Sequence, residues 1–327
     1  MFKSKLMNLS AMLIFGTIAL FVRNINLTSP EIAVFRGIIG SIFLFGGIIF
    51  SKEKTSFQTM KKNLPVLTVS GLLVGENWIF LFGVILFSKE KTSFQAMKKN
   101  LPILTVSGLF VGGNWIFLFE AYKYTTVSIA TLSYYCAPIF VTILAPVVLK
   151  EKITLKKFLC VCLAMVGMLC IVGANKNSSI GEYNHFLGIT YGLAAAIFYA
   201  GVILLNKFIK GLGGVETTVS QLVLASLLLF PYVAITTGFN FSKMTGISWV
   251  YLILLGIIHT GIAYVLYFSS LKNLKSNTIA ILSYIDPITA VLISSLFLGE
   301  KMTIFQVIGG VLILGSTFIS ETLDKKG

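Results

Sequence analysis

The residues able to move a proton or hold a charged ligand are few. Asp286 stands one residue before Pro287 inside a long apolar run, and His259 lies in the apolar run before it. An ionised carboxylate in such a setting costs about 3 kcal/mol or more unless paired, so Asp286 is either a proton-coupling acid or the structural partner of a basic group or a helix end. Imidazole titrates near pH ~6.5, which suits His259 to a proton relay or a cation-binding switch; a satisfied packing histidine is the other role open to it. Glu120 and Arg36 are two further charges set in apolar runs, and either could pair across a bundle. Glu120 thus joins Asp286 and His259 as a proton-coupling candidate. Arg36 could instead hold a substrate carboxylate by a bidentate hydrogen bond, or snorkel toward the nearby end of its own run.

Aromatic and amide side chains complete the candidate binding set: Arg36, Asn114, Trp115, Tyr134, Tyr135, Tyr264, Tyr267 and Tyr284. The four tyrosines at 134, 135, 267 and 284 lie near Pro138 or Pro287, and Trp115 aligns with Tyr264 at a spacing of 149 residues. Apolar walls bearing a few hydroxyls fit a modestly polar organic ligand, and π faces can receive a cation; each tyrosine taken singly also serves as a packing or interfacial residue. Cys136, Cys160, Cys162 and Cys170 lie in apolar runs without CxxC pairs, so they read as reduced packing residues and no metal or other cofactor is expected. There is no HExxH, no nucleophile motif and no glycine-rich phosphate loop.

These residues sit in long apolar segments. Hydrophobic residues make up 56% of the 327 positions and charged residues 12%. A bilayer core about 30 Å thick takes about 20 mostly apolar residues per helical crossing, and such stretches recur along the chain between short lysine-bearing links. They are continuous and rich in Leu, Ile and Phe rather than alternating, which favours helices over a barrel. Eleven segments are expected near 6–22, 31–50, 64–87, 101–121, 127–149, 155–173, 186–206, 217–236, 247–270, 277–298 and 303–320. The first reads as a retained helix without a cleavage site. The second starts Ser29-Pro30-Glu31, with a hydroxyl cap, a first-turn proline and a carboxylate at the positive end of the helix dipole. The net charge of +14 is spread over the links rather than one face, so it sets orientation and does not point to nucleic acid.

Two internal repeats organise the chain. LSYYCAPIFVTILAPVVLKEKIT around Pro138 matches LSYIDPITAVLISSLFLGEKMT around Pro287 at an offset of 149, and EIAVFR at Glu31 matches ETTVSQ at Glu216 at an offset of 185. The first half therefore holds 185 − 149 = 36 residues with no counterpart. A second, tandem repeat accounts for them: positions 42–82 match 79–119 at a shift of 37 with six differences. Removing one copy leaves 327 − 37 = 290 residues and ten helices, five per half. Five is odd, so the halves would run in opposite orientations, which many transporters use to build a site near the bilayer midplane. With both termini cytoplasmic, the lysines gather in the inside links, among them Lys3, Lys5, Lys150, Lys152, Lys207 and Lys210. Keeping that balance requires one duplicate copy, 51–87 or 88–124, to be re-entrant, peripheral or poorly inserted. Glu76, which replaces the Gly113 of the sister copy, makes the first copy the spare one. Glu151 and Glu300 close matching helices and read as interfacial stabilisers or gate latches.

The stretches NWIFLFEAYKYTTVSIATLSYYCAP from Asn114 and GIIHTGIAYVLYFSSLKNLKSNTIAILSYIDPITAVLISSLFLGEKMT from Gly256 resemble the drug/metabolite transporter superfamily, EamA type. The resemblance extends to the Pro-to-Glu spacing of each half and to Arg36 near the start of the second helix. It implies an all-α polytopic protein of ten helices in two inverted five-helix repeats, here 1–174 and 185–321, with an extra apolar segment from the duplication. It further implies alternating access and export or exchange of amino acids, metabolites or drugs, commonly proton-linked, in the plasma membrane. Partners expected are a small-molecule substrate, protons and membrane lipid; a homodimer is compatible with this architecture. Two rivals stand beside this reading: an intramembrane lipid-modifying enzyme using His259 and Asp286 as an acid–base pair, and an inactive product of the duplication.

Overall fold

The computed structural model describes residues 2–50, 91–150, 154–174, 183–271, 274 and 276–323. The expected segment 64–87, Glu76, Glu151 and the copy 51–87 of the tandem repeat lie outside them. Every regular element among the described residues is helical. Six of these helical stretches are long and apolar enough to cross a membrane: Phe2–Arg23, Gln95–Tyr124, Val127–Val148, His185–Asn206, Glu216–Thr236 and Gly246–Ser270. Two shorter apolar helices, Ile285–Phe297 and Ile304–Ile319, accompany them. The chain is a polytopic membrane protein, helical throughout the regular elements of its described residues.

The apolar runs are not uniform rods. The first run forms α1 (Phe2–Gly16) and α2 (Ile18–Arg23), broken at Thr17. Next come α3 (Ser29–Phe50) and α4 (Lys91–Tyr124). The run around Pro138 is split into α5 (Val127–Tyr134) and α6 (Ala137–Val148), followed by α7 (Leu155–Ala174), α8 (His185–Asn206) and α9 (Gly214–Thr236). The run holding His259 begins as α10 (Gly246–Leu254), loosens into a π-helical segment over Leu255–Ile262 and ends as α11 (Ala263–Leu271). The run around Pro287 divides at Tyr284 into α12 (Ser276–Ser283) and α13 (Ile285–Phe297), and α14 (Ile304–Leu323) closes the fold.

Helix α4 starts about ten residues before the expected 101. The link SFQAMKKN contains no breaker, and Gln, Ala, Met and Lys are good helix formers, so the helix runs on past the apolar stretch. At 34 residues, with about 1.5 Å rise each, it exceeds the hydrocarbon thickness. Its extra turns are held by Asn100, whose amide donates to Lys210 O at 2.8 Å.

The same capping device starts α3 and α9. The Thr28 amide donates to Glu31 Oε2 at 2.8 Å, and the Gly213 amide donates to Glu216 Oε2 at 2.9 Å, at the 185-residue offset of the sequence repeat. Glu31 also accepts from the Asn240 amide at 3.0 Å, pinning the loop after α9 to the start of α3.

Between helices in lipid there is no hydrophobic drive, so contact area and close backbone approach hold the bundle. Helices α7 and α14 meet backbone to backbone. A Cβ on Gly309 would lie 2.5 Å from Gly167 O, and one on Gly167 would lie 2.7 Å from Gly309 O. Leucine at position 309 should therefore separate these helices at an overpacking cost of about 1–3 kcal/mol. The thermal midpoint for loss of a monodisperse detergent-solubilised protein should fall for Gly309→Leu and stay within error for Gly315→Ala, whose added methyl meets open space.

Candidate functional site

The helix breaks bring the sequence candidates together. At the first, Thr17 Oγ1 donates back to Ile14 O at 2.7 Å and lies 2.8 Å from His259 Nε2. His259 is buried and packs edge-on against Phe21, with ring centroids 4.5 Å apart. His259 and Thr260, consecutive residues of the π-helical segment, serve two different helices. Within this segment His259 faces α1–α2 while Thr260 faces α3. Gly40 makes room for this approach, because a Cβ there would overlap the Thr260 methyl.

Thr260 accepts a 2.8 Å hydrogen bond from Arg36 Nε. Arg36 is 3% exposed, its side chain enclosed by other parts of the protein. Its guanidinium carbon stands 4.4 Å from the centroid of the Trp115 ring and 5.8 Å from that of Phe119. Tyr122, Tyr134 and Tyr264 lie within its electrostatic range. Asn114, next to Trp115 on α4, donates to Ala195 O at 2.8 Å and also meets the Tyr134 hydroxyl. Arg36, Asn114, Trp115, Tyr134 and Tyr264 thus form one neighbourhood.

Asp286 lies on the far side of the tyrosines. It sits in the first turn of α13, and its Oδ2 accepts from the Tyr135 hydroxyl at 2.7 Å. Tyr135 occupies the break between α5 and α6, so the two proline-marked breaks face each other through this bond. Tyr134 stands edge-on to Tyr135 at 5.8 Å and packs against Tyr199 at 5.6 Å. Tyr122 and Tyr134 each lie within electrostatic range of both Arg36 and Asp286.

Three candidates stand apart from this group. Glu120 is half-buried near the end of α4 and pairs with Lys123 at 3.2 Å, one turn away, rather than across the bundle. Tyr267 packs edge-on to Phe15 and Phe268. Tyr284 donates to Thr317 Oγ1 at 3.1 Å and packs against Phe318 on α14.

A second polar cluster escaped the sequence reading. Arg23, counted only as a link charge, pairs with Glu300 at 2.5 Å, with side-chain exposures of 16% and 7%. Arg23 also donates from Nε to Tyr122 O at 2.9 Å and from Nη2 to Thr125 O at 2.6 Å. Glu300 accepts on its other oxygen from the Val127 amide at 2.9 Å, capping α5. The pair ties together the ends of α2, α4, α5 and α13. The Pro-to-Glu spacing signalled Glu300; nothing in the local sequence singled out Arg23.

Known proteins share this architecture. The EamA-like transporter family matches residues 57–173 and again 186–322. A protein of Bacillus subtilis (strain 168), named as the uncharacterized transporter YxxF, is 29% identical over 303 residues, 93% of this chain and 84% of its own. An uncharacterized transporter of Archaeoglobus fulgidus is 30% identical over 201 residues, 61% of this chain and 69% of its own. A solved crystal structure superposes with a TM-score of 0.56 over 98% of each chain at 17% identity, a likeness of fold.

Removing one member of a buried ion pair strands the other charge, at a cost of about 3–5 kcal/mol, more than an exposed pair is worth. A double-mutant cycle of Arg23→Met and Glu300→Gln, read by chemical or thermal unfolding in detergent, should return a coupling of about 2 kcal/mol or more. The Glu120→Gln and Lys123→Met cycle should return less than about 0.5 kcal/mol.

Proposed function

The chain belongs to the EamA-like transporter family and is an integral membrane transporter, and from that premise we propose that it is a secondary active exporter of small organic metabolites, amino acids or drugs among them, working by alternating access with protons as the coupling ion. The observation that carries the coupling is the Tyr135–Asp286 hydrogen bond. It joins two helix breaks related by the 149-residue repeat and holds a carboxyl group inside the membrane-spanning bundle. The ionised carboxylate accepts the phenol proton in a charge-assisted bond worth about 1.5–3 kcal/mol. Protonation weakens that tie, so the state of Asp286 biases how closely α5–α6 and α13 hold together.

Two inverted halves, within 1–174 and 185–321, and ten crossings are the topology that goes with this mechanism. The matched glutamate caps of α3 and α9 and the matched breaks at Tyr135 and Tyr284 support it. Lysines on the links of one side favour a plasma-membrane protein with both termini in the cytoplasm.

The protein reconstituted in liposomes should take up labelled amino acids or nucleobases under an imposed pH gradient. Asp286→Asn should cut gradient-driven flux at least tenfold while sparing substrate exchange at equal pH, because exchange needs no proton to be released. Tyr135→Phe should retain coupling with its pH dependence displaced. Gradient-driven flux in Asp286→Asn equal to that of the parent protein would show that Asp286 is only structural.

A further inference from the structure

The buried or half-buried charges of the bundle are almost all answered by the protein itself. Arg23 has Glu300, Asp286 has Tyr135, and Glu31 has the amides of Thr28 and Asn240 and the Thr28 hydroxyl. Arg36 differs. Among the described residues its Nε finds Thr260, its face lies on Trp115, and no carboxylate pairs with it. A guanidinium offers five N–H donors, and with Nε held by a neutral hydroxyl the two terminal nitrogens keep their donors for something else. A cation in a membrane interior without a counter-ion is costly, and such residues face a partner or a substrate path.

The internal repeat sharpens the contrast. The position equivalent to Arg36 at the 185-residue offset is Gln221, equally buried but neutral. Its amide nitrogen donates to Ser107 Oγ at 2.5 Å and to Asn206 Oδ1 at 2.6 Å, so the second half spends this position on holding α9 to α4 and α8. The first half places a fixed charge there and, among the described residues, leaves its donor edge without a protein partner.

We propose that Arg36 is the anchor for a carboxylate on the transported molecule, held bidentately by the terminal nitrogens while Trp115 and Tyr264 take up an apolar or aromatic body. This rests on the transport reading given above and names the substrate class of the same site. A carboxylate is favoured over a phosphate because one planar fork matches two oxygens of a monoanion. Among the described residues the charged or titratable neighbours of Arg36 are three tyrosines and His259, with no lysine to balance a dianion.

The chain has two arginines, Arg23 and Arg36, so arginine-directed modification can be read site by site. The purified full-length protein, treated with phenylglyoxal and mapped by peptide mass spectrometry, should show modification of Arg36 that is read separately from that of Arg23. Phenylacetate, hexanoate and phenylalanine would each be compared with the corresponding amide. At least one acid should slow Arg36 modification fivefold or more while its amide does not, and the same acid should lose its stabilising effect on the thermal midpoint in Arg36→Gln. Equal protection by acids and amides, protection by none, or an unreactive Arg36 would each overturn the assignment. No proton gradient enters this assay. Acid-selective protection together with gradient-independent transport would therefore defeat the coupling reading alone, and coupled transport without acid selectivity would defeat this one alone.

Discussion

In hydrocarbon a backbone amide or carbonyl without a hydrogen-bond partner costs several kcal/mol, so an interrupted helix survives at membrane depth only where other protein surrounds it. That constraint governs this bundle. The spans are broken at Thr17, at Tyr135–Cys136, through Leu255–Ile262 and at Tyr284. Three of the four interruptions are patched locally: Thr17 N reaches Ile14 O at 3.0 Å, Cys136 N reaches Ser133 O at 3.2 Å, and Thr260 Oγ1 leans back toward Leu255 O at 3.4 Å. The rest of the fold packs so that these weak points face one another. Asp286, His259 and Arg36 are at or beside them because tight, regular helix leaves little room for a polar group between turns.

Much of this was readable before any coordinates. The apolar runs mark the spans because a bilayer imposes a length and a composition, and the prolines at 138 and 287 mark two of the breaks because proline removes a backbone donor. The Glu31 and Glu216 caps were legible as a repeated motif. The break at Thr17 and the π turn were not, since FGTIA and GIIHTG differ little in propensity from regular helix and tertiary contacts decide their geometry. Distance along the chain hid the Arg23–Glu300 pair, whose members are 277 residues apart. Glu120 misled for the opposite reason. An apolar neighbourhood in sequence suggested depth, while the helix turn put Lys123 beside it.

Repeats within one chain usually suggest repeated roles, and this chain departs from that at positions 36 and 221, among others. Equivalent residues 36 and 221 occupy matching helices with matching caps, yet one carries a permanent charge and the other a neutral amide. The likeness of backbone is what makes the chemical difference interpretable. The same scaffold position is structural when its donors end on Ser107 and Asn206, and available when they do not.

The cluster at Arg23 and Glu300 has a mechanical implication. Four bonds converge on these two side chains, from Tyr122 O, Thr125 O and the Val127 amide as well as their own contact. None can be lost by itself without leaving a half-buried charge short of partners, so the group ruptures as a unit. Any parting of these helix ends would have to break the four bonds together, and would be weakly sensitive to salt because the charges are shielded from the surrounding ions. A clasp of that kind binds the ends of α2, α4, α5 and α13 into one cooperative unit.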